Sequence, residues 1–396
     1  MADHRTATLD SLVVPGSTVA VSDGAGMPRG AVLKELSLVA SRAGGVRLLL
    51  GWCTAAPDGL DFGAFAEVRT IMGGYGLRTP INAGEVRYVP ARFGTVPGLL
   101  REVFRPDVLV APVAAGPDGY RFTTEVAWMP AAVAAGAIVA GIRCPDGSSS
   151  AAGHALPRER VVVLDVPYEG PAAITWPEPS AEQRAIAERV ARLIPAGARL
   201  QVAPGGLASA LPEALRTPVH IDTGVLTPAV MELERRGLLL GTPMSPYVVG
   251  TPELYAWAAG RPLLHPIEVT HDPVRLAADP PLVAVNTALQ IDRDGQVNVE
   301  SVRGANVAGI GGQPDYAFAA ARSIGGLSVL AIPTGHRGKP TITDALDAPA
   351  ATPAHDVDVV VTETGIADLR GLDRAERRAA LTRLWDGATE NGEDEP

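Results

Sequence analysis

Lysine is almost missing from this chain: Lys34 and Lys339 are the only two in 396 residues. Cysteine is as scarce, with Cys53 and Cys144 alone. Two isolated cysteines make neither a disulfide framework nor a metal-ligand cluster, so we expect buried structural thiols, no metal and a reduced, cytoplasmic setting. Positive charge is in deficit, 34 Lys and Arg against 44 Asp and Glu, for a net charge of −10. That balance argues against nucleic acid or an anionic membrane surface as partner. An anionic ligand would need a local basic patch. Long apolar runs are absent too. The longest, Ala131 to Ile142, falls short of the roughly 20 residues that span a bilayer. Gly136 splits it, so it reads as a helix end followed by a buried strand. The opening residues M-A-D-H-R-T-A-T-L-D lack the basic and apolar regions of a secretory leader. No G-x-G-x-x-G sits between a strand and a helix with an acid about 20 residues on, which leaves a nicotinamide cofactor without support.

What is present is a globular composition, 46% apolar and 20% charged, in a chain too long for one ordinary core. Short apolar runs alternate with helical periods. Thr18–Val21 and Val46–Leu50 read as buried strands around a helix with an apolar stripe at Val32, Leu36 and Val39. Strand-like runs recur at R-P-D-V-L-V-A-P-V and R-V-V-V-L-D-V-P, then at A-R-L-Q-V-A, P-V-H-I-D, P-L-V-A-V-N-T-A-L, L-S-V-L-A-I-P and V-D-V-V-V-T-E. These spacings predict βαβ units and parallel sheets covered on both faces. The Pro-rich stretch 167–180 is the best linker, and Ser180 with Gln183 forms a capping box for the helix that follows. We therefore expect an α/β protein of two similar open domains with mainly parallel sheets, 1–176 and 177–386. An acidic, disordered tail would occupy 387–396.

Three segments carry chemistry. Residues 284–300 read A-V-N-T-A-L-Q-I-D-R-D-G-Q-V-N-V-E, with Gln290 inside the run. Gly309 to Tyr316 reads G-I-G-G-Q-P-D-Y. Clustered glycines let backbone N–H groups approach an anion or developing oxyanion, and they also serve as plain tight turns. Asp358 to Gly371 reads D-V-V-V-T-E-T-G-I-A-D-L-R-G, a buried strand and a turn at Gly365. Its polar edge holds Glu363 and an Asp368–Arg370 pair. In the first half, S-D-G-A-G-M-P-R-G runs into a helix, which suits either an anion at the helix start or a simple turn.

Taken together these segments resemble the acetyl-CoA hydrolase/transferase family. Its active-site strand is similar to N-S-A-L-E-V-D-x-x-G-Q-V-N, its loop to G-I-G-G-Q-x-D-F, and its later turn to V-T-E-Y-G-I-A-D-L-R-G. Residues 106–120 are similar to a further motif of the family. The resemblance implies a class I CoA-transferase-like fold and CoA, as part of an acyl-CoA substrate, in a cleft between the halves. It also implies a small carboxylic acid as second substrate and a homo-oligomer. It would place Gly309, Gly311, Gly312 and Gln313 at the acyl-CoA site, Glu300 in support, and Glu363 and Gly365 on a loop over the pantetheine arm. Arg303, Arg322, Arg337 and Lys339 would be candidates for the CoA phosphates.

Three positions depart from the pattern. Gln290 stands where the family has the glutamate that attacks the thioester, and an amide forms neither an acyl anhydride nor a thioester at a useful rate. Asp222 replaces a longer carboxylate in H-I-D-T-G. Glu125, in T-T-E-V-A-W, follows the turn where the family has small and hydroxyl residues; facing the cleft, it would be a general base for water. His154 lies near a family H-G pair. The expected activity is CoA transfer between carboxylic acids or acyl-CoA hydrolysis. Hydrolytic C–C cleavage of a cyclic keto acyl-CoA and non-catalytic acyl-CoA binding are the alternatives.

Overall fold

The computed structural model describes residues 6–116, 118–144 and 153–387; the expected tail at 388–396 lies outside them. The first half builds strands β1 (Thr6–Ala7), β2 (Thr18–Val21), β3 (Arg47–Leu50), β4 (Glu67–Thr70), β5 (Arg87–Tyr88), β6 (Val108–Gly116), β7 (Gly119–Arg121), β8 (Ile138–Arg143) and β9 (Val161–Leu164). They form one sheet in the order β1-β9-β8-β6-β2-β3-β4-β5, with β7 folded back on β6. Every pair is parallel except β6–β7.

Alternation along each strand divides the side chains between two faces. Val19, Val21, Leu48, Leu50, Val108 and Val110 pack on one side with Leu33, Leu36 and Val39 of the helix Ala31–Ala43. Ala20, Leu49, Leu109 and Ala111 face the other way, into a core that continues without a break into the second half. Both faces are covered, which explains why these strands read as unbroken apolar runs rather than alternating ones.

The second half supplies β10 (Arg199–Val202), β11 (His220–Ile221), β12 (Leu282–Asn286), β13 (Gln290–Asp292), β14 (Val297–Asn298), β15 (Leu327–Ala331), β16 (Ile342–Thr343), β17 (Val359–Val361) and β18 (Ile366–Asp368). The main sheet runs β11-β10-β12-β15-β17-β18 and is parallel up to the last pair. There the turn at Gly365 sends β18 back antiparallel on β17. A small sheet, β14-β13-β16, holds the Gln290 segment. The long strand expected through Leu289 therefore stops at Asn286, and Thr287–Leu289 bridge two sheets.

Between the halves, residues 165–180 carry no regular structure, as the Pro-rich composition predicts. This stretch is pinned by Ala172 N–H donating to Ala25 O at 2.7 Å and Ile174 N–H to Gly250 O at 2.7 Å. The helix Ala181–Arg192 starts with the expected box. Ser180 Oγ accepts from Gln183 N–H at 3.3 Å, and Gln183 Oε1 accepts from Ser180 N–H at 3.0 Å. Cys53 and Cys144 are both buried. Burial pushes the Cys53 thiol well up, so it stays protonated.

Candidate active-site cleft

Parallel strands deliver their loops to one edge, and ligands bind in the crevice outside the carboxyl ends. Here both sheets contribute to one cleft of about 260 Å³. Beyond β3 and β4 of the first sheet come Trp52 and Met72. Beyond β10, β11 and β12 of the second come Ala203–Pro204, Gly224–Val225 and Thr287–Leu289.

The glycine loop closes one wall, and Gly309, Gly311, Gly312 and Gln313 all line the cleft. Each glycine has a steric reason. A Cβ on Gly309 would stand 2.5 Å from Met72 Sδ and 2.7 Å from Gly73 N, across the junction. Gly311 has φ of +61°, a left-handed conformation. A Cβ on Gly312 would collide with His271 Nε2. The loop is docked on the first half by Phe93 N–H donating to Gly311 O at 3.1 Å. The Tyr88 hydroxyl adds to this, accepting from Ile310 N–H at 3.1 Å and donating to Glu300 at 2.7 Å. Glu300, expected in support, thus holds the loop through Tyr88. Gly312 is also the N-cap of the helix Gln313–Arg322, so the positive end of a helix dipole opens on the cleft.

Gln290 sits on β13, one residue past the lining stretch. Its Oε1 accepts from Asn298 Nδ2 at 3.0 Å. Asn298 is fully buried and fixed in turn by Glu300 N–H at 3.0 Å and Ser301 N–H at 3.3 Å, which donate to its Oδ1. The amide is held, its Nε2 end left as a donor.

Glu125 does not line the cleft. It is 1% exposed, behind Tyr247, whose ring does line it. Glu125 Oε2 accepts from Gly26 N–H at 3.1 Å and from the Thr124 hydroxyl at 2.6 Å, while Oε1 has no partner. The S-D-G-A-G turn is thereby resolved: the carboxyl bound to its backbone is the protein's own. A Cβ on Gly26 would strike that carboxyl, so the glycine makes room for it. Burial, with the neighbouring Asp23 charge, pushes Glu125 up to about 8, so at neutral pH it holds its proton. Asp23, which the motifs did not single out, accepts on Oδ2 from Trp52 N–H at 2.9 Å, Trp128 Nε1–H at 2.9 Å and the Tyr247 hydroxyl at 2.8 Å. Burial nevertheless raises it to about 6.

His271 also escaped sequence reasoning, because nothing in T-H-D-P marks it. It lines the cleft at 2% exposure, edge-on to Phe93 and Tyr316 with centroids 5.6 and 4.9 Å away. The Thr270 hydroxyl lies 2.9 Å from Nδ1 and donates onward to Pro266 O. His271 Nε2 has no hydrogen-bond partner among the described residues. Burial and the Arg275 cation lower its pKa to about 3. Asp222 is spent elsewhere: it pairs with Arg275 at 2.6 and 2.9 Å and with Arg199 at 3.3 Å, a buried structural triad.

The other expected residues lie apart. Glu363 accepts from the Thr334 N–H at 3.0 Å and from the Thr334 hydroxyl, and Gly365 N–H donates to Thr362 Oγ1 at 3.2 Å; neither lines the cleft. Asp368 and Arg370 form an exposed ion pair, which contributes little. Arg303, Arg337 and Lys339 are exposed on hairpins. Arg322, expected beside the glycine loop, is at the far end of the helix that starts there, about 15 Å away at 1.5 Å per residue. His154 is exposed.

Comparison with known proteins points to CoA-transferases. Residues 250–388 match the model of the acetyl-CoA hydrolase/transferase C-terminal domain. The chain is 29% identical over 330 residues to a 4-hydroxybutyrate coenzyme A transferase of Clostridium kluyveri, covering 78% of this chain and 76% of the relative. It is 34% identical over 105 residues to an acetyl-CoA hydrolase of Yarrowia lipolytica, covering 24% and 18%. The crystal structure of RipA from Yersinia pestis superposes with a TM-score of 0.82 at 24% identity, over 96% of this chain and 94% of that one. A 4-hydroxybutyrate CoA-transferase from Porphyromonas gingivalis gives 0.75 at 24%, over 96% and 94%. Residues 250–388 thus resemble the acetyl-CoA hydrolase/transferase C-terminal domain, and over about three quarters of its length the chain is similar to a CoA-transferase.

Proposed function

We propose that this protein is an acyl-CoA enzyme whose site splits the thioester with water, without attack by a protein carboxylate. One observation carries the reading. Among the described residues that line the cleft there is no Asp or Glu, and the position resembling the family's glutamate is an amide clamped by Asn298. Water would bond to the acyl carbon, the C–S bond would break, and the CoA thiolate would leave and take up a proton. The glycine loop and the helix start at Gln313 supply fixed N–H dipoles for the developing oxyanion, and one such donor is worth on the order of 10²–10³ in rate. Gln290 would orient the thioester or the water through Nε2. Glu125, out of reach behind Tyr247, would act as a positioning residue for the Gly24–Gly26 turn. Residues 1–176 and 177–386 would act as two domains around the cleft, in a cytoplasmic homo-oligomer. Glu363 and Gly365 would shape the edge over which the pantetheine arm passes.

The test is mass spectrometry of the protein after incubation with a panel of acyl-CoAs, with CoA release followed in parallel. Release without a covalent adduct is expected. An adduct on a carboxylate would overturn the reading in favour of transfer through a glutamyl or aspartyl thioester. Tight binding with neither adduct nor release would point to a binding protein.

A further inference from the structure

The amino edge of the first sheet, opposite the edge that opens on the cleft, carries a second concavity of about 250 Å³. Its floor is the sheet face that elsewhere forms the core shared by the two halves. One row across β2, β3 and β4 reads Thr18, Arg47, Glu67. The next reads Ala20, Leu49, Arg69 and, on β5, Arg87. Ala20 and Leu49 are buried in the shared core, while the arginine end stays accessible, with 39% of the Arg69 side chain exposed. One wall is apolar. Val103 and Phe104 line it, from the helical turn Leu100–Phe104, and Val103 is 59% exposed.

Three guanidinium groups meet one carboxylate here, in a chain whose net charge is −10. Glu67 accepts on a single oxygen, Oε1, from Arg69 Nη2 at 2.9 Å and Arg87 Nη1 at 2.7 Å. Arg69 above all, with Arg87, holds its carboxyl below the ordinary range, so it stays ionised. Arg47 stands directly across from Glu67 and makes no ion pair among the described residues. Its guanidinium donates to Gly16 O at 3.3 Å. Asp107 accepts from Thr18 N–H at 2.8 Å and does not line the groove. Two positive charges are therefore in surplus beside an apolar wall, on side chains that solvent reaches.

We propose that this groove is a binding site, separate from the cleft, for a small amphipathic oxyanion: a carboxylate or phosphate head on a short apolar body. The head accepts from Arg47 and Arg69, and the body lies along Val103 and Phe104. A guanidinium fork suits either head. An inorganic anion forgoes the apolar wall, and an uncharged apolar molecule leaves the arginines to water, so each half of the ligand answers one half of the groove. The site stands whether or not the cleft handles acyl-CoA.

The test is titration calorimetry with hexyl phosphate, hexanoate and inorganic phosphate, on the wild-type chain and on Arg47→Gln, Arg47→Lys and Val103→Asn. Both positions are exposed, so the variants should keep the wild-type melting temperature. Wild type is expected to bind one organic probe about ten-fold or more tighter than inorganic phosphate, which burial of two methylenes supplies. The tighter of the two organic probes names the head, and its affinity should fall as salt is raised. Arg47→Gln should weaken it about ten-fold or more, and Arg47→Lys, which keeps the charge without the fork, should weaken it less. Val103→Asn should weaken the organic probes about three-fold or more and leave inorganic phosphate unchanged. Inorganic phosphate bound as tightly as either organic probe would overturn the amphipathic ligand. Binding unmoved by every substitution would put the anion elsewhere and overturn the groove as its site. No binding of any probe at millimolar concentration would overturn the proposal, and self-association lost in Arg47→Gln would then assign the groove to a second copy of the chain.

Discussion

Replacing Glu125 by Gln should make the protein more stable in alkaline buffer and leave it nearly unchanged in acid. The wild-type carboxyl is raised from 4.5 to about 8 by burial first and by the Asp23 charge. A raised carboxyl binds its proton more tightly when folded than when unfolded. Its effect is therefore absent below pH 4.5, and stability is lost as pH climbs, with the loss complete only above about 8. At about 1.4 kcal/mol per unit, the gap sets a ceiling of about 5 kcal/mol, and relaxation around the ionised group brings the expected loss to about 2–4 kcal/mol. Glutamine is close to isosteric. Its carbonyl can take the bonds from Gly26 N–H and the Thr124 hydroxyl, and it has nothing to ionise. Chemical denaturation across about pH 5 to 9 is the assay. The wild-type curve should fall from about pH 5 to about 8 and then level off, and the variant's should fall much less. The smaller fall due to Asp23, between 3.8 and about 6, should remain in both. Parallel curves for the two proteins would refute the reasoning, because they would mean that Glu125 ionises in the fold as easily as in the unfolded chain.

Arg275→Met leaves Asp222 buried with Arg199 as its one ionic partner among the described residues, and a loss of about 3–5 kcal/mol is expected by denaturant titration. Gly312→Ala puts a methyl group against His271 Nε2, so acyl-CoA affinity measured by calorimetry should drop about ten-fold or more with a clear fall in melting temperature. Gln290→Glu should yield a covalent CoA adduct visible by mass, forming faster as pH rises. Asp368→Ala, at an exposed ion pair, should change stability by less than about 1 kcal/mol.

The sequence made the sheets legible because parallel strands covered on both faces are uninterrupted apolar runs, and Val19–Val21 or Val283–Val285 cannot easily be anything else. The helix at 181–192 was equally plain, since its cap is a local pattern. The glycine loop was found through motif similarity, and it lines the cleft. What stayed hidden was whatever depends on two distant segments meeting. Asp23 and Glu125 lie 102 positions apart, and Gln201 and Asn286, hydrogen-bonded at 3.3 Å across neighbouring strands, lie 85 positions apart. No periodicity within either segment announces the pairing. Glu125 shows the risk on the other side. An acid next to a turn reads as solvated or catalytic, and only the packing of Tyr247 and Gly26 around it shows that it is sealed in. Arg322 was misplaced for a simpler reason. Nearness in sequence to the loop is distance in space when the intervening residues form a helix.

Gln290 and the uncharged cleft belong to one design. A carboxylate nucleophile must be ionised to attack, and an ionised group needs compensation from its surroundings. The lining supplies neutral amides, aromatic rings, glycines and a histidine held in its neutral form. The buried acids Asp23 and Asp315, each raised to about 6, would add repulsion rather than relief. Glutamate at position 290 would thus sit in a site that disfavours its active form. This is why the adduct expected of Gln290→Glu should form slowly near neutrality and gain with pH. The same environment tolerates a neutral thioester and a water molecule. An amide at position 290 and a lining without charged side chains then suit the same neutral occupants.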